Sequence, residues 1–259
     1  MYCLSKRLRP PMASLLYVFP HPDDECFGPV PALAQQRRKG HEVHLLTLTQ
    51  GEATSQRERL GYSKADMAAA RYEEMQGVAA TLDLSSLTVL EYPDGGLAEL
   101  NPLVLEDEVT AHIHAHEPDV VVTYPVHGIS GHPDHLVAHA VVKRAVCALR
   151  RDGAAAPRRL AFYTLPPADD TDRPPHLTHS PPTLIDCQVP IRDEDLETGR
   201  EALHCYETYR PVIEEHRPLD TIGDRVSFEL FAETHDPPLS SLLDRLPALD
   251  DEAGLPSAP

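Results

Sequence analysis

The sequence predicts an α/β fold, a three-layer arrangement in which a mostly parallel sheet carries helices on both faces, with extra strands after the core. Short apolar runs alternate with longer helical stretches through the first 165 residues, and strands separated by helices at this spacing form βαβ units. At 259 residues, 41% hydrophobic and 25% charged, the chain suits one globular domain with a substantial core.

Residues 15–19 (LLYVF) read as a buried first strand ending at Pro20. A helix over 26–39 closes at Gly40, a residue suited to the position after a helix end. Residues 42–49 (EVHLLTLT) form a second strand, and Gln50-Gly51-Glu52-Ala53 begins a loop. A helix over 63–82 opens with Ser63 and Asp66 in capping positions. The third strand, 87–91, stops at the turn Tyr92-Pro93-Asp94-Gly95-Gly96. A helix over 103–116 precedes the β-branched strand 119–124 (DVVVTY), and a helix over 132–151 precedes a strand at 160–165.

Past residue 165 the alternation weakens into a polar, proline-rich loop, of a length that is usually functional or mobile. A late strand at 183–189, a last helix at 193–209 and a final strand at 225–234 complete the expected domain, residues 14–235. Residues 1–13 read as an N-terminal extension, with Met12 as an alternative start, and 236–259 as a proline-rich acidic tail expected to be largely disordered.

A formal charge of -18 argues against nucleic acid and against an anionic membrane surface as partners, and fits a neutral or cationic small molecule better. No stretch approaches the roughly 20 apolar residues of a membrane-spanning helix. The apolar run after the basic N-terminus leads straight into the first motif, which favours a core strand over a signal peptide. Five cysteines at irregular spacing suggest buried free thiols in a reducing cytoplasm. A homo-oligomer is compatible with the sequence.

Open parallel sheets bind ligands at the carboxyl ends of their strands. Two reactive clusters fall at such ends: His21-Pro22-Asp23-Asp24-Glu25 after the first strand, and His132-Pro133-Asp134-His135 after the loop that leaves DVVVTY. A His and an Asp from the first cluster and a His from the second would supply the three protein ligands of a catalytic zinc. Of two adjacent aspartates, one can ligate while its neighbour faces the bound water as general base. His132 and His135 share one face of a helical turn, so one can bind metal while the other meets charge developing on the substrate. Asp134 is placed to orient His132. Either cluster alone is as readily a turn entering a capped helix; two at functional strand ends are hard to explain as caps.

With these residues the chain resembles the LmbE-like, or PIG-L, family of metal-dependent N-acetylglucosaminyl deacetylases, over roughly residues 14–210. HPDDE and HPDH match that family's two signatures, alongside TQGEA, an R-x-x-E helix (Arg71, Glu74) and a strand ending in Asp94-Gly95. The resemblance implies a Rossmann-like fold and a metal at His21, Asp24 and His135, zinc in most members and ferrous iron as the alternative. It implies Asp23 as general base, His132 as oxyanion stabiliser, and Arg71 and Asp94 as contacts to the sugar hydroxyls of a small amino-sugar substrate. The FPHPDDE-x-FG form looks like the deacetylases of bacterial thiol synthesis, the bacillithiol branch, whose substrate is N-acetylglucosaminyl malate. Two departures bear on substrate recognition: Ser130 stands where some thiol-pathway members carry Tyr, and the late H-x-S-Q element appears as Tyr206-Glu207-Thr208-Tyr209.

Other clusters have plainer readings. His112, His114 and His116 read as a solvated helix face at the wrong end of the following strand, and His139 as a core or supporting histidine. Glu25 suits a first helical turn, Cys26 a small core position, and Glu52 a contact to substrate or to another site residue. The expected reaction is hydrolysis of an acetamide on a glucosamine-type substrate. A two-metal phosphoesterase and a non-catalytic metal- or sugar-binding protein are the competing classes, separable by metal stoichiometry and by acetate release.

Overall fold

The computed structural model describes residues 12–155, 157–165, 176–220 and 222–247. Seven strands form one sheet: β1 (Ser14–Phe19), β2 (Glu42–Thr49), β3 (Ser86–Tyr92), β4 (Val120–Thr123), β5 (Arg159–Thr164), β6 (Cys187–Pro190) and β7 (Arg225–Leu230), in the spatial order β3-β2-β1-β4-β5-β7-β6. The first five are parallel, with Tyr17 opposite Leu45 on one side and Val122 on the other, while β7 and β6 add antiparallel strands beyond β5. The expected three-layer, mostly parallel sheet with later strands is the observed one.

The described helices are α1 (Val30–Arg38), α2 (Gln56–Leu60), α3 (Lys64–Thr81), α4 (Pro102–His116), the single turn α5 (Gly128–Gly131), α6 (Pro133–Arg151), α7 (Asp193–Leu203) and α8 (Arg210–His216). Alternation along the strands builds a core on each face of the sheet. Leu15, Tyr17 and Phe19 pack with Leu33, Met75 and Leu203 on one face, and Leu16 and Val18 with Val109, Ile113 and Val142 on the other. Ser63 caps α3 through the expected reciprocal bonds with Asp66. No described helix is long and apolar enough to cross a membrane. Of the described cysteines, Cys26 and Cys187 are buried, Cys205 is half-buried and Cys147 is exposed.

Three expectations are corrected. The first helix starts at Val30 rather than at residue 26, because the HPDDE segment is spent in turns that hold the site together. The helix expected over 193–209 breaks after Leu203, where Tyr206 turns inward to donate to Glu25 and Thr208 bonds Glu74, and the chain restarts as α8. The domain does not end at residue 235. Leu239 and Leu242 are buried, and Gln188 N–H donates to Leu239 O at 2.8 Å, so residues 236–247 dock on the β6 edge. Arg159, with no exposure, anchors them through the carbonyls of Leu242, Asp244 and Arg245. The remaining tail (248–259), residues 1–11 of the extension, and 166–175 of the proline-rich loop lie outside the described residues.

Candidate active site

Strand order reverses between β1 and β4, and the crevice at such a switch point is where open α/β sheets bind ligands. HPDDE leaves β1 and HPDH follows the loop from β4, so both motifs reach this crevice.

In the first motif, Asp23 adopts a left-handed backbone (φ 87°), a conformation aspartate tolerates, and its carbonyl accepts from Cys26 N–H and Phe27 N–H. The turn sends the two aspartates to different partners. Asp24 Oδ2 accepts from His21 N–H at 2.9 Å, and Asp24 Oδ1 accepts from the Tyr124 hydroxyl at 2.7 Å. Asp23 meets the buried guanidinium of Arg71 at 2.5 Å. Burial raises the Asp23 carboxyl and Arg71 holds it back, leaving it at about 6. Burial also works against the Asp24 carboxylate, but His135 and His21 outweigh it and hold the group well below the usual range.

In the second motif, each imidazole is set by the backbone. His135 Nδ1 lies 2.9 Å from the carbonyl of Gly128, so it carries the proton and leaves the Nε2 lone pair free. His132 caps α6, its Nδ1 accepting from Asp134 N–H at 3.2 Å, so in the neutral ring the proton sits on Nε2. The His135 ring stacks on Tyr124 with centroids 4.1 Å apart. Gly128, at φ 62°, lies so close that a Cβ there would come within 2.9 Å of the His135 Cβ.

The Asp134 carboxylate, expected to orient His132, is turned instead to His21 Nε2 at 3.1 Å, and two backbone N–H groups, of Gly95 and Leu97, complete its bonds. Capping α6 with His132 points the Asp134 side chain across the crevice toward the β3 turn. His21 thus donates from Nε2 and presents Nδ1 to Asp24. Burial lowers the His21 imidazolium, but Asp134, Asp24 and Asp94 together outweigh it and raise the group to about 10.

These donors suit a divalent ion. His21 Nδ1 lies 3.4 Å from Asp24 Oδ2 and His135 Nε2 lies 3.4 Å from Asp24 Oδ1, so the two imidazoles face opposite oxygens of one carboxylate at more than good hydrogen-bond distance. Both distal imidazole nitrogens are engaged, one by a carboxylate and one by a carbonyl, as metal-ligating histidines normally are. Two groups of nitrogen and carboxylate donors lie within 4.8 Å among the described residues, His21 with His132 and His135, and His21 with Asp94 and Asp134. They share His21, but Asp94 and Asp134 gather at its Nε2, whereas Asp24 faces its Nδ1.

The sugar-contact candidates divide. Asp94 lines the cavity, 3.3 Å from His21 Nε2, and is fixed by Ala53 N–H at 2.7 Å. Glu52 does not line the cavity; it accepts from Asp94 N–H at 3.1 Å and so holds that turn. Arg71 reaches the cavity wall but is 1% exposed and is taken up by Asp23, the Pro22 carbonyl and the Tyr209 ring, 4.2 Å away. Ser130 also lines the cavity, its hydroxyl 3.5 Å from His135 Nδ1. Glu74 supports Thr208, and Glu25 takes the Tyr206 hydroxyl, so the Tyr-Glu-Thr-Tyr segment braces Arg71 and the first motif. His139 is a core histidine bonded to Tyr124 O at 2.9 Å. His116 stacks on the buried ring of His44 at 4.0 Å, at the end of the sheet away from the site. Sequence reasoning missed Tyr124 and Gly128, of which only Tyr124, at the end of DVVVTY, carried a signal; Tyr209 entered it only as part of the altered late element.

The family described as PIG-L, GlcNAc-PI de-N-acetylase, matches residues 16–146. A 1D-myo-inositol 2-acetamido-2-deoxy-alpha-D-glucopyranoside deacetylase from Mycobacteroides abscessus is 34% identical over 152 residues, 51% of this chain and 54% of the relative. One of the same description from Saccharomonospora viridis is 31% identical over 219 residues, 73% of this chain and 75% of the relative. The chain thus spans about half the length of the first relatives it matches. Among solved structures, an N,N'-diacetylchitobiose deacetylase from Pyrococcus horikoshii superposes with a TM-score of 0.64 at 20% identity, covering 85% of this chain and 84% of that one. A 4-carboxy-2-hydroxymuconate hydratase superposes at 0.66 with 17% identity, covering 86% and 98%. These likenesses are of fold.

Proposed function

The chain belongs to the PIG-L family, and from that premise we propose that it is a metal-dependent N-deacetylase that hydrolyses the acetamide of an N-acetylglucosamine-type small molecule. The observation that carries the reading is the convergence of His21, Asp24 and His135 at the switch-point crevice, with Asp23 beside them. Those three residues would hold the ion, zinc or ferrous iron, which when bound polarises the amide carbonyl and acidifies a water.

The remaining chemistry falls to the chain's own groups. Asp23, held near neutrality by burial, takes the proton of the attacking water and returns it to the leaving amine. His132 offers Nε2–H to the oxyanion, since its Nδ1 is occupied as an acceptor. Asp134 keeps His21 in the tautomer that presents Nδ1. Asp94, with its turn fixed by Glu52 and Ala53, is the contact offered to sugar hydroxyls.

The relatives' names make an inositol-linked N-acetylglucosaminide the first substrate to test. N-acetylglucosaminyl malate is the second. Asp23→Ala is expected to lower acetate release by about 10²–10⁴-fold while bound metal stays near wild type. Loss of metal in step with activity would sink this division of roles.

A further inference from the structure

The cavity at the switch point measures about 850 Å³, in the upper part of the range of about 300–1,000 Å³ for small-molecule sites. Its two sides differ in chemistry, and the strand order separates them. On the β2–β3 side lie Gly51, Thr54, Asp94 and Gly95, and the histidines and aspartates of the motifs occupy the middle. On the side of β5 and α8 the wall is Phe27, Ile129, Leu165, Leu177, Val212 and Pro218. Phe27 belongs to this side because its neighbour Gly28 is pressed against the Tyr163 ring of β5, where a Cβ would overlap the hydroxyl. Phe27, Leu177, Val212 and Pro218 are half-buried and line the cavity, Phe27 and Leu177 while also packing against the core.

Among the described residues no lysine lines this cavity, and the one arginine that does, Arg71, is engaged by Asp23, Pro22 O and Tyr209. His176 and His216 stand at its exposed edge. Among the described residues, a dicarboxylate laid against these six side chains would find no guanidinium or ammonium, and polyol hydroxyls pressed on them would lose water to apolar surface. We infer that the substrate carries, beyond its sugar ring, an apolar group of several carbons that lies on the wall formed by Phe27, Ile129, Leu165, Leu177, Val212 and Pro218. This rests on the deacetylase reading. In such a molecule the group has two sources, the aglycone and the N-acyl chain.

The test uses two series with the zinc-loaded protein: methyl, butyl and hexyl glycosides of N-acetylglucosamine, and methyl glucosaminides bearing acetyl, butanoyl or hexanoyl amides. Released acid gives kcat/KM, and calorimetry on Asp23→Ala gives Kd for the same compounds. Each buried methylene is worth about fourfold, so kcat/KM and affinity are expected to rise by about tenfold or more along at least one series, which identifies the source. Val212→Asp and Leu177→Asp are expected to flatten the hexyl-to-methyl or hexanoyl-to-acetyl ratio. Flat affinity along both series overturns the inference. Graded affinity without acid release from any compound would remove the deacetylase reading and leave the apolar wall standing.

Discussion

His132 and His135 lie one helical turn apart, and the backbone gives them opposite proton positions: Nδ1 of His132 accepts from Asp134 N–H, whereas Nδ1 of His135 donates to Gly128 O. One ring therefore offers a donor at Nε2 and the other a lone pair, so the labour is divided before any ligand arrives. His132→Ala should keep its metal and lose about 10²–10³ in kcat, the usual cost of removing an oxyanion donor. His135→Ala should lose the metal itself. Metal content after dialysis, measured beside kcat, separates the two; metal loss in His132→Ala would reverse the assignment.

The link between Gly128 and His135 is testable without touching a ligand. The turn carrying Gly128 is held by Thr178 N–H on Ile129 O at 2.7 Å and by His127, although Ile129 sits at φ 59°, unfavourable for a β-branched residue. Gly128→Ala puts a Cβ against His135 at a positive φ, which must shift the carbonyl that orients the ring. Zinc affinity, read by competition with a chromophoric chelator, is expected to fall about 10–100-fold, the usual effect of losing such a partner. Unchanged affinity would detach Gly128 from the site.

Arg71 has a different expected phenotype from a residue that only grips sugar. Its guanidinium is buried against Asp23 and under Tyr209, so Arg71→Met leaves a buried carboxylate unpaired. Breaking such a pair costs about 3–5 kcal/mol, visible as a lower urea midpoint with metal bound. A variant of normal stability with a raised KM would restore the sugar-contact role.

The parallel sheet and both motifs were legible because each rests on local signals: β-branched runs, caps, and reactive residues at strand ends. What was not legible depends on contacts far apart in sequence. Asp134 serves His21, 113 residues away, because the turn of β3 supplies two N–H groups to hold it there. The break after Leu203 follows from Tyr206 reaching Glu25 across 181 residues. A proline-rich acidic composition hid the docked segment 236–247, whose few apolar residues suffice because the β6 edge and Arg159 were waiting for them.

A pH effect on stability is expected from His44, far from the metal centre. Its ring is buried on β2, stacked on His116 of α4 and bonded to Ser86 at 2.8 Å, with Arg37 of α1 and His112 nearby. Burial, then the neighbouring His116 and Arg37, lowers its pKa from 6.5 to about 4. The unfolded chain therefore binds the proton between those values and the folded chain does not, so this contribution is complete above pH 6.5 and is lost as pH falls toward 4. His44→Gln should flatten the fall in Tm across that window relative to wild type. An identical slope in the two proteins would show that another group is responsible.

The docked C-terminal segment should depend on Arg159. With no exposure, its guanidinium makes a bidentate pair with Glu233 at 2.8 and 2.6 Å and donates to the carbonyls of Leu242, Asp244 and Arg245. Arg158 adds bonds to the carbonyls of Leu246 and Pro247. Arg159→Met fills much of the volume but leaves three carbonyls without its donors and Glu233 with His235 as its remaining partner, and breaking such a buried pair costs up to about 3–5 kcal/mol. The loss should appear first where the contacts are, as rapid proteolytic cleavage within residues 236–247 under conditions that leave wild type intact. Because the segment lies on β6 and not at the metal residues, zinc content should stay near wild type in the uncleaved variant. Resistance to cleavage at this segment would mean that Leu239 and Leu242 hold it without the arginine.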